Sequence, residues 1–81
     1  MKAFILIETV TGRSKEVVTA LKKIDGVKEA DTVTGPYDAI AIVEGENVND
    51  IGYLVTAEIH TTAGIYRTVT CLAIENFEDE Q

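Results

Sequence analysis

The residues of this 81-residue chain with the most capacity for chemistry are few. Gly35-Pro36-Tyr37-Asp38 sets a phenol and a carboxylate directly before the apolar run Ala39-Ile40-Ala41-Ile42-Val43. A carboxylate at the mouth of a buried strand needs water, a partner or a ligand, because burying it unpaired is costly. Two roles fit Asp38: it contacts a ligand, or it is a solvated turn carboxylate that accepts local backbone N–H groups. Thr68 and Thr70 share one face if their segment is a strand, and β-propensity alone explains threonine there.

His60 and Cys71 are the only histidine and the only cysteine. With no second ligand at a motif spacing, His60 reads as a helix-terminal histidine favoured by the helix dipole. Cys71 has apolar neighbours and reads as a core thiol, with no intrachain disulfide possible. No nucleophile, base and orienting group can be assembled, and the glycines match neither a dinucleotide nor a phosphate-loop fingerprint. The sequence therefore predicts no enzyme, no metal and no cofactor.

The elements that must position these residues follow from periodicity. Ala3-Phe4-Ile5-Leu6-Ile7 is a continuous apolar run, as expected of a strand buried on both faces. Val17, Val18, Leu21 and Ile24 form one stripe of an amphipathic helix, with Lys22 and Lys23 placed in its last turn and Gly26 as its stop. Residues 27–34 read as a more polar strand, Gly35-Pro36 as a tight turn, and residues 37–44 as a buried strand. Asn47 then looks like an N-cap with Asp50 in a capping-box arrangement. Val48, Ile51, Leu54, Val55 and Ile59 supply that helix's apolar stripe. Gly52 lies inside it at about 1 kcal/mol relative to alanine, which suggests close packing at that point. Residues 65–76 form the last strand, with Tyr66, Thr68 and Thr70 on one face and Ile65, Arg67 and Val69 on the other.

The order is β-α-β-β-α-β, the α+β ferredoxin-like plait: a four-stranded antiparallel sheet with two helices on one face. Residues 1–77 make one domain and residues 78–81 an acidic tail. So small a domain is marginal alone, yet 46% of its residues are hydrophobic. The excess apolar surface predicts an oligomer in which a second molecule covers the other sheet face. A formal charge of −7 argues against direct nucleic-acid binding and against an anionic membrane surface. No signal peptide or membrane span is evident, and a cytoplasmic location is expected.

Three stretches together resemble the effector domain of Lrp/AsnC-type transcriptional regulators, also called the RAM domain. They are V-T-G-P-Y-D-A-I-A-I-V-E-G from Val33, N-D-I-G-Y-L-V from Asn49 and G-I-Y-R-T-V-T from Gly64. The resemblance implies sheet-to-sheet dimers (a dimeric α/β barrel), assembly of dimers into octamer-like rings, and an amino acid or similar effector bound between dimers. It points to Gly35, Tyr37, Asp38, Thr68 and Thr70 as ligand-binding positions. Asp38 would take the ammonium group, and backbone amides near Gly35 or the threonine hydroxyls the carboxylate. With the first strand starting near Met1, the expected form is the effector module without a helix-turn-helix domain. It would modulate transcription through a partner regulator of the same family. Two other readings share the fold: a small dimeric α/β-barrel enzyme of monooxygenase or isomerase type, and a ligand-free structural partner subunit.

Overall fold

The computed structural model describes residues 1–74. The expected end of the last strand at residue 76 and the acidic tail at 78–81 lie outside the described residues. The chain runs β1 (Lys2–Thr9), α1 (Ser14–Leu21), β2 (Val27–Thr32), β3 (Ala39–Glu44), α2 (Val48–Tyr53), a π-helical continuation of α2 (Leu54–Ile59) and β4 (Ile65–Leu72). The strands form one antiparallel sheet in the order β2-β3-β1-β4. This is the ferredoxin-like plait that the element order predicts.

Alternation along each strand divides the sheet into two faces. Ala3, Ile5, Ile7, Ala30, Ala39, Ala41 and Val43 point toward the helices. They are buried against Val17, Val18 and Leu21 of α1, and against Ile51, Leu54, Val55 and Ile59 of the second helix. The small alanines on β3 let the helices approach; the isoleucines of β1 fill the centre.

The other face carries two cross-strand rows. Pairing aligns Ile42, Phe4 and Cys71 in one row and Ile40, Leu6 and Val69 in the next. Glu29 and Asp31 of β2 flank these rows on one side, and the Glu8–Arg67 ion pair closes one end. Among the described residues nothing covers the block. It is an apolar patch with a polar rim, the usual form of an interaction face.

Several local details differ from the expectations, each for a physical reason. Cys71 is exposed because its strand is an edge and its side faces the open surface. Ile65 does not share a face with Arg67 and Val69. Glu8 pairs Arg67 but Thr9 pairs Ile65, so Tyr66 is the extra residue of a bulge and Ile65 turns back toward the core. The helix α1 ends at Leu21, before Lys22 and Lys23. The i→i−3 bonds Lys23 N–H to Ala20 and Ile24 N–H to Leu21 tighten the chain there, so Ile24 still packs on the core.

The β2–β3 connection is a six-residue loop, residues 33–38, rather than a tight turn. It is closed by the Val33 N–H donating to the Asp38 carbonyl at 3.0 Å. Gly35 sits at φ +153°, a conformation open to glycine, and Pro36 has no N–H to extend the ladder.

The N-cap expectation at the second helix is met. Asn47 accepts the Asp50 N–H at 2.9 Å, and the Asp50 carboxylate accepts the Glu46 N–H at 3.0 Å. Gly52, however, is not closely packed: a Cβ built there meets nothing within 4 Å. Val48 is also exposed, at 51%. No helix among the described residues is long and apolar enough to cross a membrane.

Candidate functional site

The loop between β2 and β3 presents its polar groups beside the end of β1. Asp38 is held at three points. Its N–H donates to the Ile7 carbonyl at 2.9 Å, its carbonyl accepts from Val33, and its Oδ2 accepts the Thr9 N–H at 2.8 Å. Thr9 follows the register shift at Glu8, so the carboxylate satisfies a backbone donor at the bulge. Asp38 thus does accept a backbone N–H, but from Thr9, 29 residues away on β1, rather than from its own turn. One bond does not exhaust a carboxylate, whose two oxygens offer about four acceptor sites. Asp38 is exposed and Tyr37, beside it, is half-buried.

On the far side of β1, Glu8 and Arg67 pair across the strands at 2.8 Å. The hydrogen bond and charge of Glu8 raise the Arg67 guanidinium above its ordinary value, with smaller contributions from Tyr37 and Tyr66. Neither Glu8 nor Arg67 stands out in the sequence, because they lie 59 residues apart and only the β1–β4 register joins them.

Thr68 and Thr70 both face the helix side of β4, opposite Ile7 and Ile5 respectively. Their surroundings differ. Thr68 is half-buried and its Oγ1 lies 2.8 Å from His60 Nε2. His60 caps the π-helical segment, as expected for a helix-terminal histidine, and its N–H reaches the Val55 carbonyl at 2.8 Å. Thr70 is exposed and lines a groove between β4 and the second helix, with Val48, Ile51, Gly52, Val55, Thr56 and Leu72.

One chain does not bring the five candidate positions to a point. Asp38 sits on the β3 side of β1 and continues the Ile7–Ala39 register toward Glu8, whereas Thr70 lies on the β4 side opposite Ile5. Two strand spacings and three residue steps separate them, about 14 Å between Cα atoms. Thr68 lies about 10 Å from Asp38 by the same geometry. At that separation the α-ammonium and α-carboxylate of one amino acid would meet Asp38 and Thr70 of a single chain only with both side chains fully extended across β1. Among the described residues no cluster of three or more His, Cys, Asp or Glu side chains is arranged to hold a metal ion.

The family model for the Lrp/AsnC ligand binding domain matches residues 2–81. An uncharacterized HTH-type transcriptional regulator of Pyrococcus furiosus is 30% identical over 66 residues, which cover 82% of this chain and 44% of that protein. The chain thus spans less than half the length of that curated relative. The crystal structure of FFRP-DM1 superposes with a TM-score of 0.84 at 38% identity, covering 90% of this chain and 97% of that one. A feast or famine regulatory protein from M. tuberculosis, solved in complex with L-methionine, shares the fold at a TM-score of 0.76. It is 24% identical, with 94% of this chain and 51% of that one covered. With the plait, the G-x-x-D loop and the paired threonines in place, the chain belongs to the Lrp/AsnC ligand-binding domain family.

Proposed function

We propose that this protein is an effector-binding module that takes an amino acid or a related small metabolite between dimers. It would modulate transcription through Lrp/AsnC-type regulators rather than by touching DNA itself. The observation that supports the reading is the position of the candidate groups on opposite sides of β1: at about 14 Å between Cα atoms, Asp38 and Thr70 would meet one amino acid within a chain only with every group fully extended. A second dimer can present its loop to the strand of the first. The M. tuberculosis relative binds L-methionine with the same fold, which supports a zwitterionic effector here.

In this reading Asp38 accepts the ammonium group, and N–H groups near Gly35 with the threonine hydroxyls hold the carboxylate. Charge-assisted hydrogen bonds are the strong ones, and an interface between dimers excludes the water that would compete with them. The apolar open face of the sheet forms the dimer itself, placing two charged rims at its edges. A formal charge of −7 supports a role that does not involve phosphate contacts.

Thermal unfolding against the twenty amino acids, with light scattering on the same samples, tests the proposal. A ligand at 100 times its dissociation constant stabilises the fold by about 2.7 kcal/mol, an easily measured shift. A flat response across the panel would remove the amino-acid reading. The site assignment is tested by Asp38→Asn, which keeps an oxygen acceptor for the Thr9 N–H and removes only the charge. The substitution is expected to cost at least tenfold in affinity, since hydrogen bonds to charged groups contribute about 1.5–3 kcal/mol. Its unfolding curve should stay within about 0.5 kcal/mol of the parent, as for a surface change. Unchanged affinity in calorimetric titration would show that Asp38 serves the backbone alone.

A further inference from the structure

His60 is the only histidine of the chain, and its ring meets one of the candidate positions. It follows the π-helical segment, where its N–H to the Val55 carbonyl at 2.8 Å fixes the backbone. Its Nε2 lies 2.8 Å from Thr68 Oγ1 on β4. Both side chains line a recess of about 280 Å³ with Ile65, Tyr66 and Arg67, and His60 is exposed, so solutes reach the pair.

The hydroxyl has one proton and the imidazole two nitrogens, so the direction of this bond depends on the state of the ring. In one neutral tautomer Nε2 accepts the Thr68 proton, and Oγ1 has only lone pairs left to offer. In the other, the Nε2–H donates to Oγ1. The protonated ring carries a hydrogen on both nitrogens and can only donate, so the Thr68 proton is released for another acceptor. A carboxylate accepts and cannot donate, so it bonds this hydroxyl only when His60 is the donor. The imidazolium charge strengthens that attraction.

We infer that His60 positions the Thr68 hydroxyl for the effector's carboxylate, so that protonation of His60 tightens effector binding. The inference rests on the effector-binding reading above and adds a proton to it. Affinity rises as pH falls through the histidine range, from about pH 8 to 5. The sign follows from linkage: the charged ring favours the bound carboxylate, and the bound carboxylate favours the charged ring, so binding takes up part of a proton. Tyr66 and Arg67 of β4 line the same recess, and Glu8 of β1 holds Arg67 at 2.8 Å. Arg13, at the start of α1, packs beside Gly64 and pairs with Glu16 at 3.2 Å; Glu58 precedes His60 on its own segment. The ordinary titration ranges of these side chains lie outside that pH window.

The test uses the whole chain and the twenty L-amino acids at about pH 6 and about pH 8, either side of histidine's ordinary value. Thermal unfolding picks out the binders. Calorimetric titration of those amino acids in two buffers of different ionisation enthalpy then gives affinity and proton uptake, with light scattering on each sample. The parent should bind about tenfold more tightly at the lower pH, the difference between a neutral and a charge-assisted hydrogen bond, with proton uptake on binding. His60→Gln, whose amide donates to Thr68 without titrating, should bind almost equally at both pH values. Thr68→Val should lose affinity and the pH dependence with it.

Equal affinity of the parent at both pH values, or a pH dependence that survives in His60→Gln, would overturn the role of His60 while effector binding stands. A dependence that survives in Thr68→Val would mean that the ring acts without the hydroxyl, and the route through Thr68 falls. If assembly size follows pH in the parent and not in His60→Gln, the proton acts on assembly, which also overturns the inference. If no amino acid binds at either pH, the effector-binding reading falls and this inference with it.

Discussion

Replacing Gly64 by alanine should destabilise the domain by about 2–4 kcal/mol, through a backbone term and a packing term that add. Gly64 has φ +96°, where a side chain is strained, and it opens β4. A Cβ there would lie 2.9 Å from Val17 Cγ2 and 3.3 Å from Arg13 Cβ. Val17 is fully buried, so its methyl has no free space to enter without moving α1 against the sheet. The Gly64 carbonyl also accepts the Val10 N–H at 2.8 Å, so a shift of this residue disturbs the end of β1 as well. Against a total stability of about 5–15 kcal/mol, such a loss is large.

Urea unfolding is the measurement. With a slope of about 1–3 kcal/mol per molar for a small protein, the midpoint should fall by roughly 1–2 M. Gly12→Ala is the internal control. Its φ is +82° but nothing lies within 4 Å of the added carbon, so it bears the backbone term alone, about 1 kcal/mol. Equal losses in the two variants would mean that Val17 yields to the new methyl, and the packing term would have to be dropped.

The second large effect is expected at the open face. If the proposed sheet-to-sheet dimer forms, Leu6→Glu should convert it to monomers without unfolding the chain. Leu6 lies in the central strand β1, between Ile40 and Val69 in its row, and points away from the helix-packed core. A symmetric pair of sheets buries that position twice, once from each copy. Burying one such side chain contributes about 1.5–3 kcal/mol, and a carboxylate left facing an apolar sheet costs more. The combined loss of more than about 4 kcal/mol would weaken the dimer at least a thousandfold. Sedimentation velocity reads the change in mass, and far-UV circular dichroism checks that the sheet is retained. If Leu6→Glu sediments like the parent, the dimer does not form through this face. Glu29→Gln on the rim should have little effect on mass, because a single solvated charge contributes about 0–1 kcal/mol.

Much of the architecture was legible in the residues because it is local. The stripe Val17, Val18, Leu21 predicts α1, and the Asn47/Asp50 pair predicts the start of α2; both are observed. The apolar runs of β1 and β3 announce strands covered on two sides, and with the element order they leave the plait as the natural solution. The loop from Gly35 to Asp38 was visible as a candidate for the same reason: a carboxylate and a proline beside an apolar strand conflict with their surroundings.

Other features depend on partners distant in sequence, and periodicity carries no trace of them. The bulge at Glu8 turns Ile65 to the core and leaves Tyr66 outside the ladder, because two strands of unequal residue count must be matched. The edge position of β4 exposes Cys71 in a stretch whose composition suggests the core. Glu8 and Arg67 become an ion pair only through the β1–β4 register. The sequence by itself determined the elements and their order, since those follow from local propensity and short-range pattern, and its three motif stretches carried the resemblance to the family. The tertiary structure alone decided where the candidate positions lie: β1 stands between Asp38 and Thr70, and the second helix leaves β4 beside an open groove at Gly52. Strand order and register set those separations, and both are fixed by how the whole sheet closes on its core.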